Sequence, residues 1–217
     1  MKKKAGMLII RGACPLLLLL SGCKRMVDWT AQNFNQAQTI EIPLKRVKPY
    51  LRTAAVHHQL STCAIFDALW ISDVVRYAYA EVAMVRTGKT NEQYQTFLRR
   101  QLEENKHYIT FYLLSEYNVP VGDTADWQVL LRVAGHVYQP CELKTVELTP
   151  EYRAFFAKRF SKLKVAYLVK FVAQDMDEQP LIVPTTSTIE LCLNSTQKQV
   201  VFEWQVKAED FHTWGHI

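Results

Sequence analysis

The period of the apolar residues changes near residue 107, and that change constrains the fold more than any other feature of the chain. Before it, Val75, Tyr79, Val82 and Val85 recur at helical spacing, and Tyr94, Phe97, Leu98 and Leu102 do the same. After it, short runs alternate with period two, as strands do. The spacing predicts helices across 50–104. Ser72 is the expected N-cap of one, with Asp73 at its first position and Gly88 as its stop. Thr90-Asn91-Glu92-Gln93 spells a capping box for the next. Phe66, Leu69 and Trp70 read as a helical turn packed into the core. Two helices joined by a few residues predict an antiparallel hairpin.

Strands are expected over Tyr108–Leu114, Trp127–Val133, Val137–Leu148 and Val165–Ala173, and as a hairpin of Thr188–Leu193 with Val200–Val206. In that hairpin Ile189, Leu191 and Leu193 share one face, as do Phe202, Trp204 and Val206. Thr149-Pro150 reads as a helix start, followed by an apolar face of Tyr152, Phe155, Phe156, Phe160 and Leu163. Thr39–Leu44 alternates at Ile40, Ile42 and Leu44 and predicts a short edge strand, edge because of Pro43. Asp175 to Pro184 reads as an exposed connection. The expected class is α+β: a helical hairpin followed by an antiparallel β-sandwich of Ig-like form, with one inserted helix. The division is 39–106, mainly helical, and 107–217, the sandwich part, packed as one unit with the helices.

The first residues carry an address. Lys2, Lys3 and Lys4 precede an apolar stretch of Leu8, Ile9, Ile10 and Leu16 to Leu20, which ends in Leu20-Ser21-Gly22-Cys23. That layout is a signal segment. Arg11, Gly12 and Pro15 interrupt it, and it falls short of the ~20 apolar residues that span a bilayer. Its last four residues resemble the lipobox of bacterial lipoproteins. The resemblance implies that residues 1–22 are removed and that Cys23 is acylated as the first mature residue. It also implies a cell-envelope location. Lys24 is not an acidic retention residue, so the outer membrane, facing the periplasm, is favoured. Residues 23–38 then form anchor and tether, with Trp29 and Phe34 placed to sit at the membrane interface. The remainder of the chain loosely resembles envelope lipoproteins with an Ig-like sandwich.

Charge narrows the partners. Of the formal +5, Lys2, Lys3, Lys4 and Arg11 supply +4. A mature chain near +1 argues against nucleic-acid binding. Two local basic runs remain: Lys45, Arg46, Lys48 and Arg52, and Lys158, Arg159, Lys162 and Lys164. They read as solvated surface or as contacts to anionic head groups. Cys63, Cys141 and Cys192 form no C-x-x-C pair, so a redox or zinc-ribbon motif is not spelled. One disulfide with a free thiol, or three buried thiols, both fit.

Candidate chemistry is sparse. His57-His58 are adjacent and point apart on a strand or a helix, a poor chelate. His212 and His216 stand four apart at the terminus. Neither pair has further ligands at recognisable spacing. Ser61, Thr62 and Cys63 with His57, His58 and Asp67 contain hydrolase residue types, but there is no G-x-S-x-G elbow. Glu103-Glu104 and Asp175, Asp177 and Glu178 are carboxylates on expected surfaces, without the spacing of an EF-hand or a selected glycosidase pair. No catalytic residue, metal or cofactor is therefore expected. The leading reading is a lipid-anchored envelope protein with a non-enzymatic binding or assembly role, whose partners are the membrane through Cys23 and another envelope component. The alternatives are a carrier or chaperone for a lipid or other apolar ligand, and an envelope hydrolase.

Overall fold

The computed structural model describes residues 41, 43–58, 61–122 and 125–210. The described chain opens on a helical lead-in over 43–47 that tightens into a 3-10 turn, Lys48–Tyr50. This corrects the expected strand at 39–44 over Glu41, Pro43 and Leu44; Thr39, Ile40 and Ile42 lie outside the described residues. Pro43, Val47 and Tyr50 are buried at helical spacing, so one side of the lead-in faces the core.

Strands β1 (Leu51–His58) and β2 (Ser61–Trp70) follow as an antiparallel pair. The helical expectation for 50–70 is therefore wrong. From Phe66 to Trp70 every residue of β2 is buried, whichever face it is on. Such a run has no alternation to read, and period alone does not separate it from a buried helix. The helices begin at Asp73. In α1 (Asp73–Thr87) Ser72 is the N-cap without a side-chain cap bond, and Gly88 closes the helix at φ 62°. Thr90 caps α2 (Asn91–His107) with a complete capping box: Gln93 N–H donates to Thr90 Oγ1 at 3.4 Å, and Thr90 N–H to Gln93 Oε1 at 3.1 Å.

The rest of the chain is β3 (Tyr108–Glu116), β4 (Gln128–Val133), β5 (His136–Tyr138), β6 (Glu142–Val146), α3 (Pro150–Phe156), β7 (Lys164–Val172), β8 (Thr188–Asn194) and β9 (Gln199–Gln205). The single strand expected over 137–148 is two, and they belong to different sheets. Pro140 separates them, since proline cannot donate to a ladder. The helix expected to run to Leu163 stops at Phe156. Ala157 follows at φ 49° and opens a 3-10 turn, Ala157–Arg159.

Two antiparallel sheets result. The first has five strands in the order β1-β2-β3-β7-β6, the second four in the order β5-β4-β8-β9. Register assigns the faces of the first sheet. Ala68 pairs with Leu113 and Trp70 with Phe111 on the face toward the second sheet. Asp67 pairs with Leu114 and Leu69 with Tyr112 on the other. Between the sheets, Phe66 meets Trp127 at 5.0 Å and Phe111 meets Trp204 at 5.3 Å between ring centroids. On the opposite face, Tyr152 of α3 lies 4.4 Å from Tyr79 of α1 and 4.7 Å from Tyr112 of β3. The five-stranded sheet is thus the middle of three layers. Both its faces are buried, and one hydrophobic core runs through all three. The terminal hairpin places Ile189, Leu191, Leu193, Phe202 and Trp204 inward, as its alternation predicts.

Candidate functional site

The residues singled out at the β1–β2 hairpin do not converge. His57 pairs with Thr62 across the strands, beside a bulge between Val56 and His57. Its Nδ1 lies 3.3 Å from Thr62 Oγ1, and Cys63 Sγ is 3.7 Å from the Ser61 carbonyl. His57, Ser61, Thr62 and Cys63 are all exposed. Asp67 lies four residues beyond Cys63, roughly 13 Å along an extended strand. It is fully buried and committed elsewhere. Thr53 Oγ1 donates to it at 2.5 Å, Lys164 Nζ at 2.5 Å, and Arg159 Nε stands 3.5 Å away. Arg159 also donates to Thr53 Oγ1 at 2.8 Å. The carboxylate needed to orient a histidine is instead clamped between two cations and a hydroxyl.

A second polar network joins the helices to the sheet. Arg76, 4% exposed, reaches Glu104 and Gln101 at 3.0 Å and Asn105 at 3.1 Å. Lys170 of β7 binds Glu104 at 2.6 Å and lies 3.6 Å from Glu142. Burial pushes the Glu104 carboxyl up, but Arg76 and Lys170 outweigh it and hold it below the ordinary glutamate value. Burial opposes the charge on Lys170, and Glu104 and Glu142 outweigh that in turn, so its pKa is raised. Glu104, its side chain 32% exposed, is tied to Arg76 and Lys170 and is only partly the surface carboxylate expected of it. Glu103 is exposed, 2.8 Å from Lys106. Asp175 closes its own exposed turn, accepting from the N–H groups of Asp177 and Gln179 at 2.9 Å.

The two basic runs have different fates. In the first, Arg46 pairs with Glu81, and Arg52 donates to the Glu203 carbonyl at 2.9 Å and lies over the Trp204 ring. In the second, Arg159 and Lys164 turn inward to Asp67, while Lys158 and Lys162 are exposed with no ion-pair partner among the described residues. Beside them two β-turns lie together. Val119 N–H donates to the Glu116 carbonyl at 2.9 Å, which puts Tyr117 and Asn118 at one corner. Lys164 N–H donates to the Ser161 carbonyl at 3.2 Å, which puts Lys162 and Leu163 at the other. Tyr117 N–H then bonds the Leu163 carbonyl at 3.0 Å and locks the turns side by side. Tyr117 is 83% exposed and Leu163 78%. Ser115, buried beneath the first turn, donates its hydroxyl to the Val119 carbonyl and fixes that corner from inside.

Leu163 is assigned by sequence to an inward helical face, and Tyr117 is singled out by nothing. The available signals are Asn118 and Pro120 after a strand, and the lysines around Leu163. Cys63 and Cys141 are exposed free thiols, and Cys192 is a buried one. Burial raises the thiol pKa of Cys141 and Cys192. Among the described residues no group of three His, Cys, Asp or Glu is placed to hold a metal ion, and no helix is long and apolar enough to cross a membrane. Cys23, Trp29, Phe34, His212 and His216 lie outside the described residues, as does the side chain of His58.

Fold and site together define a three-layer mixed helix-and-strand protein with two antiparallel sheets. Compared with protein-family models, curated proteins and solved structures, the chain matches none.

Proposed function

We propose that this chain is a lipid-anchored protein of the bacterial cell envelope with a non-enzymatic binding or assembly role. The anchor rests on the basic start, the short apolar stretch and the Leu20-Ser21-Gly22-Cys23 end. Two or more acyl chains on Cys23 hold firmly where one does not, since each buried methylene contributes about 0.8 kcal/mol. An outer-membrane position facing the periplasm follows from the same resemblance. The binding role is carried by one observation: Tyr117 and Leu163 stand out together, fixed by a backbone bond, with Lys162 at the same corner and no ion-pair partner for it among the described residues. Two large apolar side chains held outward at adjoining corners offer a small contact surface. The commitment of Asp67 to Lys164, Arg159 and Thr53 removes support from the hydrolase reading. The Ig-like form and the helical hairpin belong to this proposal. The two antiparallel sheets support the first, and the Arg76 contacts to Gln101 and Asn105 support the second. The five-plus-four strand count departs from the four-plus-three of an immunoglobulin constant domain.

Cell fractionation tests the anchor. Cys23→Ser is expected to release the chain from the membrane fraction. An acyl-free Cys23→Ser protein that stays in the pellet after a high-salt wash would overturn it. In-cell crosslinking of the native lipoprotein tests the binding role. Photo-crosslinkers placed at positions 117 and 163 are expected to capture an envelope component, lipid or protein, with an unchanged melting temperature. Absence of any crosslink from both positions would place the surface elsewhere.

A further inference from the structure

We infer that the paired turns at Tyr117 and Leu163 dock this protein onto an anionic lipid bilayer, with Lys158 and Lys162 facing the head groups. The inference rests on the lipid-anchored reading and adds a second, reversible contact to it. Both ends of the β3–β7 ladder expose apolar side chains, so exposure alone does not choose between them. At one end stand Tyr108 and Val172, 37% and 49% exposed, paired in register, with Met176 beyond. Asp175, Asp177 and Glu178 follow that end in the chain and are exposed, while Glu103 is paired with Lys106 and Lys170 lies over the Tyr108 ring. The three exposed acids disfavour an anionic surface there.

The opposite end has the reverse sign. Glu116, half-buried, faces Lys164 in register. Asp67 of β2 is buried and satisfied by Lys164 and Arg159. Lys162 shares its turn with Leu163, Lys158 precedes that turn in the chain, and both are exposed with no ion-pair partner among the described residues. A tyrosine, an aliphatic tip and flanking lysines combine apolar insertion with attraction to acidic head groups, the two terms that hold proteins on such surfaces. A protein partner of ordinary affinity needs a broader apolar centre with a satisfied polar rim, and two turn corners do not supply one.

Reach does not oppose this. From Cys23 to residue 41 there are eighteen residues, which extend to at most about 60 Å at the standard rise. The nine residues of β3 span roughly 30 Å. A chain held at Cys23 can thus present either end of the ladder to the membrane, and charge decides between them.

The test uses the full lipidated chain reconstituted into phosphatidylcholine vesicles, with and without phosphatidylglycerol, that carry a doxyl-labelled lipid quencher. In a Cys63→Ser/Cys141→Ser background, an environment-sensitive fluorophore is attached through Leu163→Cys, or through Val137→Cys as a control. Val137 is 56% exposed and lies on the four-stranded sheet. The expected result is quenching at position 163 that needs phosphatidylglycerol and fades with salt, and none at 137. Lys158→Glu/Lys162→Glu is expected to weaken it by at least roughly fivefold per lysine, with an unchanged melting temperature. Quenching indifferent to lipid charge, or equal at both positions, overturns the inference. No quenching at 163 in either vesicle also overturns it. Flotation with pure phosphatidylcholine vesicles reads the Cys23 anchor separately, so a failed anchor and a failed docking surface give different results.

Discussion

Trp204 is 1% exposed and donates its indole N–H to the Tyr50 carbonyl at 2.8 Å, so both the ring and its polar edge are satisfied inside the molecule. Trp204→Ala removes that ring from between Phe111 and Phe202 and is expected to destabilise by roughly 3–5 kcal/mol. Urea unfolding measures this, and an unchanged midpoint would mean that the ring is not packed. Asp67 makes a sharper case. It is buried with no solvent to share its charge, so Lys164, whose side chain is 12% exposed, is its principal counterion. Lys164→Met leaves a buried carboxylate short of its partner and is expected to cost about 3 kcal/mol. Arg159, 45% exposed, is screened by water, and Arg159→Met should cost under about 1 kcal/mol. Equal effects of the two in denaturant titrations would contradict that ranking.

At the scale of elements, α2 is held by its cap at one end and by Glu104 near the other. Thr90→Ala removes the N-cap acceptor of the capping box and should cost about 1 kcal/mol, read as a lower urea midpoint. Glu104 joins α2 to α1 through Arg76 and to β7 through Lys170. Its pKa lies below the unfolded value of 4.5. The stability it contributes is therefore present above pH 4.5 and is lost as pH falls through the folded value. Asp210 acts in the opposite sense. Burial raises its carboxyl, and its bonds from Tyr50 and from Lys207 N–H only partly offset that. Its folded pKa is above 3.8, so its contribution is present at low pH and declines as pH rises through that folded value. In midpoints measured from acid to neutral pH, Glu104→Gln should flatten the loss on the acid side. Asp210→Asn should remove the opposing decline. An acid limb unchanged by Glu104→Gln would show that the carboxylate does not titrate with folding.

For the whole molecule, the shared core predicts cooperativity. The described residues from 43 to 210 fall in one compact unit, and the five-stranded sheet contacts both the helices and the second sheet. Far-UV and near-UV signals should lose structure at the same urea concentration. Cys192, 3% exposed in a strand paired on both sides, should label with a thiol reagent only across that transition, while Cys63 and Cys141 label in the folded state. Early labelling of Cys192 would reveal opening of the four-stranded sheet alone.

What the sequence determined by itself is local. The capping box at Thr90 and Gln93, the Gly88 stop, the helix start at Pro150 and the inward faces of the β8–β9 hairpin each rest on contacts within a few residues or on one alternating face exposed to water. These are interactions that a one-dimensional pattern encodes. The tertiary structure decided what depends on being covered from both sides. β2 reads as a helix because helices and a second sheet bury both its faces and erase its alternation. The 137–148 segment splits between sheets because Pro140 breaks the ladder. Leu163 turns outward because α3 stops at Phe156, so an apolar residue of unremarkable spacing becomes the tip of a turn. The pairings of Asp67 with Lys164 and of Tyr117 with Leu163 join residues 97 and 46 positions apart. Only the register of β2, β3 and β7 brings them together, and no periodicity along the chain carries that register.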